Sequence, residues 1–395
     1  MQGDDIFIVS AARTAIGSFG GSLAGVPLTE LATAAVSAAI SRSGMAAADI
    51  DHLVMGNVIP TEPADAYLSR VAAINAGMPA HSCAFNVNRL CGSGLQAIIS
   101  TAQLIQSGHA TVGVAAGAES MSRGPYLLAN HRWGQRLGDG AATDYMNGIL
   151  HDPWERCHMG TTAENIAKRH LVSREDQDAL ALESQRRAAH AIAQGYFDDQ
   201  IAPVPVKVRR ETRLFQQDEN VRADTTLEQL ARLAPIFQPD DGTVTAGNAS
   251  SLNDGAAALV LASETAVREH GMTPMARLVN YAFSGVDPRY MGMGPVPAVQ
   301  ALLKRQPVSL SDIDVIEANE AFAAQALAVT RELDLDAAKV NPNGSGISLG
   351  HPVGATGAII TTKLIYELHR RQGRYGIATM CIGGGQGIAL LLERA

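Results

Sequence analysis

Cysteine is scarce in this 395-residue chain: four residues, at 83, 91, 157 and 381, with no CxxC pairing and no zinc-like spacing. That pattern excludes a disulfide scaffold and a structural zinc site, calls for no metal, and fits reduced thiols in a cytosol. Long apolar runs are missing too; none approaches the length of a membrane span. There is no excess of positive charge. Lys and Arg number 31 against 39 Asp and Glu, and the net charge of −8 argues against nucleic acid as the main partner. The opening MQGDDIFIVSAARTAIG carries acid early and lacks the basic-then-apolar layout of a signal peptide, and the closing LLERA is not a peroxisomal tripeptide. The expectation is a cytoplasmic protein with no membrane association.

What is present is apolar and small. Hydrophobic residues make up 46% and charged residues 18%, the balance of a packed protein rather than a disordered one. The length exceeds one ordinary core, so two or three domains are expected. The 38 glycines and abundant alanines suggest close-packed helices and tight βα turns.

Along the chain, DIFIVS (5–10) reads as a buried strand, 28–43 as an Ala-rich helix, DIDHLVMGNV (49–58) as a strand and 66–77 as a short helix. AFNVN (84–88) reads as a strand, 94–106 as a helix, and ATVGVAAGAES (110–120) as a small-residue strand with a glycine turn. This is βα alternation, the mark of an α/β layered domain. Residues 121–157 show little periodicity, and such long irregular stretches usually carry function or an interface. Residues 161–195 read as helical, with Ser173 and Asp176 as a capping pair. The basic run KVRRETR (207–213) is either a solvated face or a phosphate site.

From about 275 the rhythm returns as a repeat. SLSDIDVIEANEA (309–321) echoes AAADIDHLVMGNV (46–58), and YGIATMCIGGGQG (375–387) parallels ATVGVAAGAES. NPNGSGISLGHPVGATGAIITTKLIYELHR (341–370) takes the part of the Cys91 turn and its helix. Two similar α/β halves flanking an insertion account for this, and pseudo-twofold packing brings the two helix starts together.

Cys91 sits in NRLCGSGLQAIISTAQLIQSG (88–108), with Leu95, Ile98, Ile99, Ala102 and Ile105 at helical spacing behind it. A cysteine on the turn before a helix has N–H groups and a positive dipole end that favour a thiolate and can hold an oxyanion. A buried, inert cysteine is the alternative. His351 in SLGHPVGATG precedes the helix equivalent to that of Cys91. Cys381 in CIGGGQG and Asn319 in NEAFAAQ stand at strand ends, where α/β sheets place ligands. Singly, each also reads as a structural histidine, a small packed thiol and a turn residue. Together they suggest carbon–sulfur acyl chemistry with two proton-transfer groups.

The chain resembles the thiolase family, most closely its biosynthetic bacterial β-ketothiolases, the acetyl-CoA acetyltransferases. The resemblance rests on NRLCGSGLQA, HMGTTAEN (158–165), GTVTAGNAS (242–250), NEAFAAQ, NPNGSGISLGHPVGATG and CIGGGQG, in family order over nearly the whole length. GNVIPTEPADAYLSR (56–70) and GVDPRYMGMGPVPA (285–298) look like bacterial β-ketothiolases linked to polyhydroxyalkanoate synthesis. It implies an α/β fold of two βαβαβαββ halves stacked as an α/β/α/β/α core with an inserted loop domain. The N-terminal half would be 1–120 plus about 250–272, the loop domain 121–249 and the C-terminal half 273–395. Cys91 would carry the acetyl group. His351 would take its proton and serve the thioester oxygen. Cys381 would remove the α-proton of a second acetyl-CoA. Asn319 would hold a water that completes one oxyanion hole with His351, and the N–H groups of Cys91 and Gly383 would form the other.

By the same resemblance Leu150, His158, Met159, Arg222, Ala246, Ser250, Leu252, Ala321 and Phe322 would line the coenzyme A channel, with Gln229 at its adenine end. Ligands would be acetyl-CoA, acetoacetyl-CoA and CoA, with no separate cofactor. The assembly would be a homotetramer, a dimer of dimers with 121–150 as the tetramerising arm. The chain departs from the family pattern at Gln229, where Ser is common, at Ser251, where Gly is usual, in NPNGSGISLGHP, and at Cys157. Cys157 reads as a pocket filler or as a redox-sensitive thiol. The implied reaction is a reversible Claisen condensation of two acetyl-CoA. Degradative 3-ketoacyl-CoA cleavage and a non-catalytic acyl-CoA-binding relative are the alternatives. A decarboxylating ketoacyl synthase is disfavoured by Cys381, because those enzymes have no second catalytic cysteine.

Overall fold

Side chains along the central strands alternate between two apolar layers, as a pleated strand buried on both faces must. The computed structural model describes residues 5–395. The strands are β1 (Ile6–Arg13), β2 (His52–Gly56), β3 (Cys83–Val87), β4 (Val112–Ser120), β5 (Asn253–Ser263), β6 (Ala276–Gly285), β7 (Ile313–Ala318), β8 (Tyr375–Ile382) and β9 (Gln386–Arg394). With the short Gly17–Ser18 strand paired to β5 they form one ten-stranded mixed sheet, in the order β7-β8-β9-β6-β1-β5-β4-β2-β3. In β5, Ala257, Leu259 and Leu261 face one core, and Ala256, Ala258, Val260 and Ala262 face another.

The main helices are α1 (Leu28–Ser43), α2 (Leu68–Asn75), α3 (Ser93–Gln106), α4 (Met159–Arg169), α5 (Arg174–Ala193), α6 (Pro295–Lys304), α7 (Ala323–Glu332) and α8 (Thr356–Arg371). α3 and α8 share one core with strands of both sheet halves. α1 and α2 cover the outer face of the first half, and α6 and α7 pack on the second. The helix and sheet layers implied by the resemblance are therefore present. The two sheet halves are not separate, however. β1 and β6 pair antiparallel over Ile6–Leu278, Phe7–Arg277 and Ile8–Ala276, which joins them into one ladder.

The repeat is visible strand by strand. The order β1-β5-β4-β2 in the first half is matched by β6-β9-β8-β7 in the second. A 3-10 turn precedes β2 at Ala47–Asp49 and another precedes β7 at Leu310–Asp312. In the second half β8 turns directly into β9, whereas in the first half residues 121–252 separate β4 from β5.

Several local expectations are corrected. Gly117 makes no turn; it lies inside β4, where a Cβ would come within 2.6 Å of Gly354 O. The 161–195 helix is two helices, broken where Leu171 takes φ +51°. Ser173 caps the second by accepting from Asp176 N–H at 3.0 Å. The 66–77 segment divides into a 3-10 turn at Pro63–Tyr67 and α2. KVRRETR spans an exposed hairpin of Val204–Val208 and Glu211–Phe215, with Arg213 paired to Glu211, in keeping with a solvated face. Among the described residues no helix is long and apolar enough to cross a membrane.

Candidate active site

The turn before α3 is shaped by polar side chains on either side of Cys91. Asn88 Oδ1 accepts from Leu90 N–H at 2.8 Å. Ser93 Oγ accepts from Arg89 N–H at 2.9 Å and donates to Leu90 O at 2.6 Å. Leu90 is held at φ +48°, a left-handed conformation that costs a non-glycine residue roughly 1 kcal/mol or more. Gly92 admits the end of β8, since a Cβ there would lie 2.6 Å from Ile382 Cδ1. The Cys91 turn thus sits against the strand that ends with Cys381.

Cys91, His351, Cys381 and Gly383 line a single cavity of about 430 Å³. The N–H groups of Gly383 and of Cys91 itself favour a Cys91 thiolate. Even so, burial pushes the Cys91 thiol up to about 11, outweighing those two N–H groups, and Glu119 adds to the rise. The helix start therefore does not produce a resting thiolate, contrary to the expectation from the turn alone. Desolvation of a sulfur anion exceeds what one helix end supplies. Cys381 is buried, and burial together with the nearby Cys91 pushes its thiol up as well.

His351 is held at both its backbone and its ring. Its N–H donates to Asn253 Oδ1 at 2.9 Å, and Nδ1 lies 2.7 Å from Thr356 Oγ1. The Thr356 hydroxyl donates its single proton to Pro352 O at 2.9 Å, so Nδ1 carries the ring proton. Nε2 is left with its lone pair, buried and without a partner among the described residues. Burial holds the ring down to about 4, so it is a neutral base at pH 7. Asn319 is buried behind it, with Nδ2 3.5 Å from His351 Nδ1 and Oδ1 unpartnered among the described residues. Asn341 braces this loop by accepting from Ala318 N–H at 2.9 Å and donating to Ala318 O and Glu320 Oε1.

Leu150, His158, Met159, Arg222, Ala246, Ser250, Leu252, Ala321 and Phe322 line the same cavity. His158 caps α4 by accepting from Gly160 N–H at Nδ1, 3.0 Å, which leaves Nε2–H free to donate to a ligand. Its ring stacks on Phe237 with centroids 4.6 Å apart, and burial holds its pKa down to about 4.

Three residues fall outside the lining, and Asn319, buried behind His351, is one of them. Gln229 accepts from Thr226 N–H at 2.9 Å in a reciprocal cap of the short Leu227–Ala231 helix. Cys157 is partly buried beside Asp152 and is not a wall of the cavity. Val58, Leu90, Met121, Phe237, Met291 and Val353 were not singled out in the sequence and do line it. As ordinary apolar residues they give no chemical signal, and only spatial convergence marks them.

Comparison with known proteins agrees with this geometry. The chain matches the model "Thiolase, N-terminal domain" over residues 6–265 and "Thiolase, C-terminal domain" over 272–394. It is 57% identical to the beta-ketothiolase BktB of Cupriavidus necator, covering 99% of each chain. It is 50% identical to the acetyl-CoA acetyltransferase of Escherichia coli, covering 98% of each. The crystal structure of human mitochondrial 3-ketoacyl-CoA thiolase in complex with CoA superposes with a TM-score of 0.96 at 46% identity, over 99% of this chain and 98% of that one. Two cysteines and a neutral histidine around one cavity, on a fold shared along the full length with these enzymes, place the chain in the thiolase family.

Proposed function

We propose that the protein is an acetyl-CoA C-acetyltransferase, a β-ketothiolase that condenses two acetyl-CoA to acetoacetyl-CoA and CoA through an acetyl-cysteine. The observation that carries this reading is the presence of Cys91, His351 and Cys381 on the walls of one apolar cavity. An acylated cysteine cannot also abstract a proton, so the condensation needs a second base.

In the first half-reaction the Cys91 sulfur attacks the thioester carbon as its proton passes to His351 Nε2. The N–H groups of Cys91 and Gly383 hold the oxyanion. The C–S bond to CoA breaks, and the leaving thiolate takes the Cys381 proton. Acetyl-Cys91, imidazolium and a Cys381 thiolate remain. The burial that raises the Cys381 pKa makes that thiolate a stronger base. In the second half-reaction Cys381 removes an α-proton from a second acetyl-CoA. The enolate oxygen is held by His351 and by a water on Asn319. The enolate carbon attacks acetyl-Cys91, the new C–C bond forms, and Cys91 leaves and recovers its proton from His351.

CoA thioesters enter along the wall of Leu150, His158, Met159, Arg222, Ala246, Ser250, Leu252, Ala321 and Phe322. The segment 121–249 is the loop domain that supplies much of that wall, inserted between an N-terminal half (1–120 plus about 250–272) and a C-terminal half (273–395). The working assembly is a homotetramer with 121–150 as its arm. Tyr126, Leu127, Leu128, Trp133 and Leu137 are large, apolar and exposed on that arm, which supports its burial against another copy. Light scattering on the purified protein tests the tetramer.

Labelled acetyl-CoA tests the chemistry. Acetyl should be recovered on Cys91 and be absent from a Cys91→Ser protein. Cys381→Ser should still acetylate and fail to condense; loss of both steps in that variant contradicts the division of roles. Rates with acetoacetyl-CoA against 3-ketodecanoyl-CoA separate this reading from a degradative thiolase, and preference for the longer chain overturns it.

A further inference from the structure

Glu119, near the end of β4, is fully buried and makes no direct contact with the cavity. Its carboxyl oxygens accept four N–H groups. Asn57 Nδ2 and Ile59 N bond Oε1, both at 2.9 Å; Val58 N at 3.1 Å and Gly354 N at 2.8 Å bond Oε2. Every one of these partners is a donor, so the shell is built for the acceptor-only carboxylate. Burial, with the neighbouring Asp254 carboxyl, nevertheless pushes its pKa up to about 8, so both forms are present near neutral pH. The titratable groups felt around Glu119 are Cys91 and Asp254.

The four bonds join two separate loops. Residues 57–59 follow β2, and Gly354 lies between His351 and α8. Val58 from the first loop and Val353 from the second both line the cavity next to Cys91. The approach is close enough to dictate sequence, because a Cβ on Gly354 would lie 2.5 Å from Glu119 Oε2 and 3.0 Å from Asn57 Cα. The loop that carries His351 is held at two further points, by Asn253 at its backbone and by Thr356 at its ring. Glu119 hydrogen-bonds that loop across to the Val58 side, where Gly354 also packs on Asn57.

We infer that Glu119 is a buried positioning residue that clamps the Val58 loop to the Gly354 loop and so sets His351 and Cys91 around the reacting carbonyl. It does not touch substrate; it acts through the two loops. Its charge has a second consequence. When ionised, Glu119 adds to the burial that disfavours a free thiolate on Cys91, so the sulfur keeps its proton until His351 takes it during attack. The inference rests on the roles proposed above for Cys91 and His351.

Glu119→Gln keeps shape and removes the charge, but turns one oxygen into an NH₂ that faces two N–H donors. The full chain is assayed at pH 7.5 for acetoacetyl-CoA thiolysis, and Cys91 alkylation by iodoacetamide is followed by mass spectrometry at pH 9, where the parent Glu119 is ionised. Acyl transfer should slow about 100-fold in kcat with KM within threefold, the scale of a misplaced proton-transfer group. Alkylation of Cys91 should accelerate at least threefold, because the repelling anion is gone. A purely structural role moves both rates down together or leaves both unchanged, and either result overturns the inference, as does a kcat within threefold of the parent. If Glu119→Gln does not fold, Glu119→Asp is measured in the same way, since it keeps the charge but is one methylene too short to reach both loops. It should lose kcat without faster alkylation, and undiminished kcat overturns the clamp. Failure of the underlying reading is distinguishable, because it appears as turnover retained in Cys91→Ser whatever Glu119 does.

Discussion

Gly94 and Gly357 face each other where α3 crosses α8. A Cβ on Gly94 would sit 2.5 Å from Ala358 N, and a Cβ on Gly357 would strike Leu95 N. The two helix starts touch backbone to backbone, which brings the turn of Cys91 and the loop of His351 to one point. Alanine at either position should force the helices apart. We expect a loss of about 1–3 kcal/mol, the usual cost of overpacking, measured by urea unfolding. Acetylation of Cys91 should fall further than the fraction unfolded accounts for.

Thr356 fixes the tautomer of His351. Replacing it with valine keeps the volume and removes the acceptor for Nδ1–H. Nε2 then competes with Nδ1 for the ring proton and is no longer a dependable base. We expect kcat to fall by about 10–100-fold with little change in KM, and serine at the same position to restore most of the rate. Equal loss in the serine and valine proteins contradicts this role.

The protonation states make a pH prediction. His351 goes from an ordinary value of 6.5 unfolded to about 4 folded, because burial penalises the imidazolium. Between those values the unfolded chain binds more protons, so this group's contribution is present above 6.5 and is lost as pH falls toward 4. A shift of that size is on the order of 3 kcal/mol. Unfolding free energy should therefore drop over that window, and His351→Gln should flatten the drop.

The thiols should differ in reactivity in an order opposite to their catalytic importance. Cys83 is exposed, whereas burial pushes Cys91 up to about 11 and raises Cys381 further. With no substrate present at pH 7.5, iodoacetamide should label Cys83 before Cys91 and leave Cys381 unmodified. Peptide mass mapping over time reads this directly, and faster labelling of Cys91 would mean a resting thiolate.

Asp218 ties the inserted region to the first strand. Its two oxygens accept from Arg13 Nη1 and Nη2 at 2.8 and 2.9 Å, fully buried, and Oδ1 also accepts from Ile16 N–H. Asp218→Asn leaves the Arg13 guanidinium buried beside a neutral amide. We expect a loss of about 3–5 kcal/mol by chemical denaturation, the cost of breaking one partner out of a buried pair.

Much of this was legible in the chain. The echo between 46–58 and 309–321 gave the two halves, because each half needs the same strand-entry turn and the same buried strand. Cys91, His351, Cys381 and Asn319 stood at matching turns, since chemistry on this fold needs specific side chains at strand and helix ends. Gly117 was misjudged as a turn because a glycine pressed against another backbone looks, in one dimension, like a glycine that bends. The break at 170–173 was missed because Leu171 carries no mark of its left-handed backbone.

Residue type and periodicity marked the repeated βα halves and the reactive side-chain types at their turns, because those depend on local pattern and on intrinsic chemistry. Tertiary structure decided the protonation of those groups. A turn before a helix favours a thiolate in isolation, and burial between two sheet halves reverses that. It also decided which apolar residues bound the cavity, sent Gln229 to a helix cap, and set Glu119 between two loops far apart in the chain. Desolvation and close packing arise only when distant segments meet.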